Sequence, residues 1–270
     1  IQLGFSIEMM HSVILILDDF MDKSNERRHK PTAHLIAQNH YSDKHIGNSI
    51  SMTSVLIGVN LAQVLISDLD VEDHVKTKLI KISNENYATT GFGQVMDITN
   101  SRNPKTSVDD IFKTFLNKTG HYTFLNPIIL GTTLAGVSDP KLEKALEIYS
   151  KNIGISFQIH DDYLGIFGEP DETGKSNVDD LIEGKFTLLV KYALDKATPL
   201  QKDKIGQILG RDEISEIQHE EIKEIFEKTG AVQFSLSKSF EHANTGIEAL
   251  KSIDREIYSP DIIDFLEGVA

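Results

Sequence analysis

The sequence contains no cysteine, so neither a disulfide framework nor thiolate chemistry is available to it, and a reducing cytoplasmic setting is expected. It is also poor in positive charge. Twenty-seven lysines and arginines stand against 41 acidic residues, a net charge of −14, which argues against nucleic acid as a partner and against an anionic membrane surface. No apolar run approaches the length of a membrane span. The longest, Val13 to Leu17, reads as part of a core helix, and no integral membrane segment is expected. Nothing resembles a signal peptide. Strand-like alternation bounded by Asn-Gly or Asp-Gly turns is missing as well. Gly91-Phe92-Gly93 is not followed by the third glycine of a dinucleotide loop and lies within helical pattern.

What is present is helix. Apolar residues make up 40% of the 270, enough for a sizeable core. They recur with a period near 3.6 over roughly 2–22, 47–67, 72–97, 107–122, 139–165, 185–197 and 215–250. Asp139-Pro140, Thr198-Pro199 and Ser259-Pro260 each put a capping residue before a proline at the first helical position. Ser107 followed by Asp109 and Asp110 marks another start. With no repeat, low-complexity tract or linker, the reading is all-α, a single domain over residues 1–270. Polar loops are expected at 23–33 and 168–184.

Each loop comes after an aspartate-rich segment, Asp18-Asp19-Phe20-Met21-Asp22 and Asp161-Asp162-Tyr163-Leu164-Gly165. Carboxylates at i, i+1 and i+4 of a helix project two side chains onto one face, a turn apart. Magnesium takes about six oxygens and usually keeps waters or borrows phosphate oxygens, so one such pair holds it poorly by itself. Two pairs facing each other, with cations nearby, make a cage for metal and diphosphate. The adjacent Arg27 and Arg28 add planar forks suited to phosphate oxygens. A solvated helix end is the bland alternative for an acidic segment, but these acids come at the end of an almost purely apolar helix.

The run DDxxD, Arg27-Arg28, Pro31 and His34 resembles the first aspartate-rich motif of the trans-prenyltransferases, the short- and medium-chain polyprenyl diphosphate synthases. The resemblance implies the isoprenoid synthase fold, a large helical bundle around a central apolar cavity. It implies Mg2+ bound by Asp18 and Asp22 with Asp19 beside them, Arg27 on the allylic diphosphate, and Arg28 and His11 on isopentenyl diphosphate. Where the family usually has glycine after its two arginines, this chain has His29. Phe157-Gln158-Ile159-His160-Asp161-Asp162 resembles the second motif, with Gly165 in place of its third aspartate. That implies metal at Asp161 and Asp162, and Gln158 at the substrate. Thr173-Gly174-Lys175 and Glu183-Gly184-Lys185 resemble the family's paired lysines, Lys118-Thr119 its KT motif, and Gly93-Gln94-Val95-Met96-Asp97 its GQ-x-x-D segment. The resemblance runs from His11 to about Leu194.

The reaction that this resemblance implies is head-to-tail condensation of isopentenyl diphosphate with an allylic diphosphate. Lys118, Lys175 and Arg27 would supply positive charge as pyrophosphate leaves. Ile14 and Val13 lie four and five residues before Asp18, with Met10 and Met9 a turn of about 5.4 Å deeper. Family members that stop at farnesyl usually place an aromatic ring at one of the two shallower positions, so by the resemblance the aliphatic residues here imply a geranylgeranyl-like or somewhat longer product. The family's Gly-Lys-x-x-Arg segment is missing from residues 1–10, so the N-terminal portion of the family domain is expected to lie outside this sequence. A homodimer is implied. Two readings stay open beside the synthase: a class I terpene cyclase, whose second motif Asp161-Asp162 and Glu169 fit except at Gly165, and a partner subunit of a heteromeric synthase.

Overall fold

The computed structural model describes every residue except Arg102, Pro104 and Lys175, and only the backbone of Glu172. In chain order it forms α1 (Gln2–Met21), β1 (Glu26–Arg27), β2 (Lys30–Pro31), α2 (Ala33–Tyr41), α3 (Lys44–Ser67), α4 (Asp73–Asn100) and α5 (Val108–Phe115). A π-helical segment (Leu116–Leu125) then leads into α6 (Asn126–Leu134). The remaining helices are α7 (Pro140–Phe167), α8 (Pro170–Thr173), α9 (Asp179–Glu183), α10 (Leu188–Lys196), α11 (Pro199–Ile208), α12 (Glu216–Lys228), α13 (Ala231–Leu250) and α14 (Pro260–Val269). The all-α expectation holds. Contacts gather the chain into two compact units, Ile1–Lys81 with Gly168–Asp179, and Ile82–Phe167 with Asp180–Ala270.

In the first unit, Leu3, Ser6, Met10 and Val13 recur at helical spacing and are buried, and α1 packs on α3. Ser6 Oγ donates to the Ala62 carbonyl at 2.7 Å, and Val13 sits against Gly58. Although no strand was expected, residues 26–31 form a hairpin with Arg27 opposite Lys30. Its two-residue turn is Arg28-His29, with φ of +53° and +58°. Such turns need positive φ at both central positions and are usually marked by Asn-Gly, which is why this one left no signal in the sequence.

The expectation about span-length apolar runs also needs correction. By length and composition α3 could cross a membrane. Ile46 to Ile66 carries no charge, and its interruptions are small or polar. Several of those polar groups turn back on the helix: Thr53, Ser54 and Asn60 donate to carbonyls a turn earlier at 2.8–2.9 Å. Ile46, Ile50, Leu56, Ile57, Leu61 and Val64 are exposed.

In the second unit α7 is the axis, packed by α13 and by the π-helical segment. Tyr149, Ile153 and Leu250 make one buried cluster; Ile111, Phe115, Ile155, Ile159 and Leu188 make another. A third joins Ile166, Leu181, Leu189, Ile222 and Phe226. Capping boxes start α5 at Ser107, α11 at Thr198 and α12 at Ser215, and the Asp139 carboxylate accepts from Lys141 N at 2.8 Å at the start of α7. Ser259 precedes α14 as expected but makes no side-chain cap bond. The long segment at 215–250 is broken, because Gly230 takes a left-handed conformation between α12 and α13.

Candidate active site

The aspartates at the end of α1 keep the predicted helical spacing. Asp22 is the helix C-cap, and its N–H donates to the Asp18 carbonyl at 2.8 Å, so Asp18 and Asp22 stand one turn apart. Asp19 differs from both: it is buried, with 4% exposure. Its carboxylate takes Arg27 Nε at 2.8 Å on each oxygen, and the Arg27 terminal nitrogen lies 2.7 Å from Oδ1 and 3.8 Å from Asp18. The hairpin after α1 explains how Arg27 returns to the helix that precedes it. Thr32 Oγ1 donates to the Ser24 carbonyl at 2.9 Å, and Phe20 meets the His34 ring edge-on. Those contacts fix the loop.

Arg28 is exposed on the hairpin turn. Gly174, in the second polar loop, lies against Arg28 and His29. Lys175 falls outside the described residues. Burial pushes the His11 imidazole below its ordinary pKa; Glu8 pulls it up, while Arg28 and Arg27 push it further down. Met10 and Val13 are buried in helix packing, whereas Met9 and Ile14 are only half-buried.

In the second unit a cavity is lined by Asp97, Lys118, Gln158, Asp162 and Lys185, whereas Thr119 and Asp161 are not among its lining residues. Ile111, Phe115 and Phe186 supply its apolar wall. Lys118 and Thr119 ride on the π-helical segment, whose wider turn departs from the α-helical ladder; such segments are frequent at functional sites. A β-carbon at Gly93 would overlap the backbone of Asn117 and Lys118, so α4 reaches that segment closely only through a glycine. One turn along α4, Asp97 Oδ2 takes Lys118 Nζ at 2.7 Å.

Thr119 Oγ1 donates to Gln158 Oε1. Gln158 Nε2 in turn donates to Asp162 Oδ1 at 2.9 Å and reaches Asp161 at 3.4 Å. One amide thus ties the KT pair to the second aspartate pair, its oxygen accepting on one side and its nitrogen donating on the other. Asp162 is 5% exposed, and its Oδ2 has no hydrogen-bond partner among the described residues. Burial, then the charge of Asp180, push its carboxyl well above the usual carboxylate range; the Gln158 hydrogen bond opposes this, Asp161 adds to it, and Lys185 opposes it.

Lys185 Nζ is held 2.8 Å from Asp180 and 3.0 Å from Glu183. Neither acid stood out in the sequence as having a role of its own, nor did Asn100, whose amide donates to Thr114 at 2.9 Å beside the cavity. A half-buried lysine needs a counter-ion. The acids just before Lys185 were the available signal.

Among the described residues no three acidic or imidazole groups stand ready-made as a metal cluster. Magnesium does not require one, since it is commonly held by one or two carboxylates with waters and phosphate oxygens. The unpartnered, buried Asp162 Oδ2 beside Asp161, and the turn-spaced Asp18 and Asp22, fit that mode.

A family model described as polyprenyl synthetase matches residues 1–229, and so runs through both units. The chain is 28% identical over 261 residues to a short chain isoprenyl diphosphate synthase of Methanothermobacter thermautotrophicus, covering 92% of this chain and 72% of that protein. It is 30% identical over 224 residues to a short chain isoprenyl diphosphate synthase of Methanocaldococcus jannaschii, covering 82% of this chain and 63% of that one. It therefore spans only part of the length of these relatives. A geranylgeranyl pyrophosphate synthase from Corynebacterium glutamicum, solved with isoprenyl diphosphate and magnesium, superposes with a TM-score of 0.92 at 28% identity, over 99% of this chain and 76% of that one. The chain is a member of the polyprenyl synthetase family.

Proposed function

We propose that the protein condenses isopentenyl diphosphate head-to-tail with an allylic diphosphate, with magnesium as cofactor. The observation that carries this reading is the bonded series Thr119–Gln158–Asp162, with Lys118 and Lys185 lining the same cavity. A family resemblance in sequence alone would not require those motifs to meet.

When bound, magnesium would act as a Lewis acid toward the leaving diphosphate. Asp18 and Asp22 in the first unit, and Asp161 and Asp162 in the second, are the residues that would hold such ions. Asp19 holds Arg27 in place for a phosphate, and Arg28 and His11 serve isopentenyl diphosphate. Lys118, Lys175 and Lys185 add positive charge where negative charge develops, and Thr119 and Gln158 fix the geometry around them. The allylic C–O bond breaks with its electron pair leaving on pyrophosphate. The double bond of isopentenyl diphosphate attacks the allylic cation, and a proton is lost to the departing pyrophosphate. Apolar walls such as Ile111 and Phe115 exclude water from the cation.

The product is geranylgeranyl-like or somewhat longer. With Met10 and Val13 occupied in helix packing, Ile14 and Met9 are the residues on α1 that set its length. By the same resemblance the assembly is a homodimer, which sedimentation equilibrium measures. The test is to offer dimethylallyl, geranyl and farnesyl diphosphates separately with isopentenyl diphosphate and magnesium, and to weigh the products. A ladder ending at one length supports the synthase. Hydrocarbons or alcohols without isopentenyl consumption would instead mean a cyclase, and silence despite bound diphosphate a partner subunit.

A further inference from the structure

Asn126, the first residue of α6, is fully buried, yet neither its amide oxygen nor its amide nitrogen closes a hydrogen bond among the described residues. A buried amide left open on both sides is rare in a folded protein and calls for a reason. The condensation chemistry does not use it. Its polar neighbour is Tyr87 on α4. Burial pushes that phenol well above its ordinary pKa, Asn126 pulls it down, and Tyr122 pushes it further up. Asn126 thus acts on Tyr87 as a hydrogen-bond partner would, but in a geometry that leaves both amide atoms open.

The place of this pair follows from the rungs between α4 and the segment that carries Lys118. Asp97 pairs with Lys118 at the cavity, Gly93 touches the Lys118 backbone, and Asn86 Oδ1 meets His121 Nδ1 at 3.1 Å. Residue numbers fall along α4 as they rise along its neighbour, so the two run antiparallel and away from the cavity, with Tyr87 and Asn126 at the far end. Ten helical positions separate Tyr87 from Asp97, about 15 Å. That is the reach of roughly three to four extended isoprene units. Nearer the cavity, Thr90 returns its hydroxyl to the Asn86 carbonyl at 3.1 Å, and Gln94 leaves only its Nε2 open. All of these residues belong to the second compact unit.

We propose that Asn126, with Tyr87, sets where chain growth stops, and that it does so by polarity rather than by bulk. A prenyl tail long enough to lie on this pair seals an open amide and a phenol under hydrocarbon. Burying such groups against an apolar surface without a hydrogen bond is unfavourable. Tails are therefore accepted down to this depth, and the next addition is penalised. Asn126 and Tyr87 are then specificity-determining residues of a different kind from Ile14 and Met9, which act by size. The inference rests on the proposed synthase reading for the identity of the tail.

Asn126→Leu is the variant to make, because bulk and polarity give opposite signs for it. Leucine keeps the branched outline, is somewhat larger, and carries no amide. A stop made by bulk then gives the same product or a shorter one; a stop made by polarity gives a longer one. With farnesyl diphosphate, isopentenyl diphosphate and magnesium, the next-longer product should rise about tenfold relative to the wild-type product. Tyr87→Phe should move the ratio the same way by a smaller factor. A second measurement needs no turnover: calorimetric binding of geranyl, farnesyl, geranylgeranyl and geranylfarnesyl diphosphates with magnesium. Wild-type affinity should climb with each added unit and then stop climbing, and in Asn126→Leu the climb should continue for one unit more. Circular dichroism checks folding, and Tyr87→Phe carries both measurements should Asn126→Leu fail to fold. An unchanged or shorter product with an unchanged break in the binding series overturns the inference. An active synthase that ignores both substitutions refutes this inference alone. A wild-type protein that does not condense, but whose binding break still moves in Asn126→Leu, refutes the synthase reading alone.

Discussion

Arg27 lies on the buried carboxylate of Asp19, its Nε 2.8 Å from both oxygens. A guanidinium placed so near the turn-spaced pair Asp18 and Asp22 is oriented before any phosphate arrives. Asp19→Asn removes the charge that orients it and leaves a half-buried cation poorly matched. Stability should fall by about 2 kcal/mol, and KM for the allylic diphosphate should rise more than kcat falls. Denaturant melts and initial rates measure the two; an unchanged KM would show that Arg27 orientation does not depend on Asp19.

His29 occupies a left-handed position in the hairpin turn, with φ of +58°. A residue with a β-carbon there costs about 1–2 kcal/mol relative to glycine. His29→Gly should therefore raise the unfolding free energy by about 1 kcal/mol, less the entropy that glycine adds to the unfolded chain. His29→Val should lower it. Urea midpoints for the pair settle the sign.

Gly93 lets α4 touch the backbone of Lys118. Gly93→Ala forces the π-helical segment outward and should cost about 1–3 kcal/mol as an overpacked contact. Because Asp97 holds Lys118 at 2.7 Å from the same helix, kcat should fall as well. Loss of stability with full retention of kcat would separate the lysine's position from this contact.

Burial lowers the pKa of His121 and of His242, each of which bonds an asparagine oxygen through Nδ1. A depressed folded pKa means that stability is fully present above the unfolded value of about 6.5 and is lost as pH falls below it. Asp162, with a raised pKa, works in the opposite direction. The histidine contribution is therefore read as a difference: the thermal midpoint of the wild-type protein should drop faster between pH 7 and 5 than that of His121→Asn/His242→Asn. Parallel profiles would contradict the assignment.

The helices and the residues of both aspartate segments were legible because period, caps and charge are local signals. The Asp18–Asp22 spacing survived into the structure unchanged. Other features depend on contacts between distant residues. The Arg28-His29 turn lacks the usual Asn-Gly mark, and the role of Gly93 emerges only when the Lys118 backbone arrives against it. Asp180 is one acid among many in a polar loop until the fold brings its carboxylate beside Gly165. On α3, hydroxyl and amide groups bonded back to their own helix leave a span-length apolar segment that looks polar in the sequence.

The condensation itself is tested most directly by following label from isopentenyl diphosphate. The purified protein is given carbon-labelled isopentenyl diphosphate with farnesyl diphosphate, with magnesium or with excess chelator. Label should enter a longer, acid-labile allylic diphosphate when magnesium is present and should not do so with chelator. Farnesyl diphosphate consumed while every labelled isopentenyl molecule stays unreacted would contradict the synthase reading.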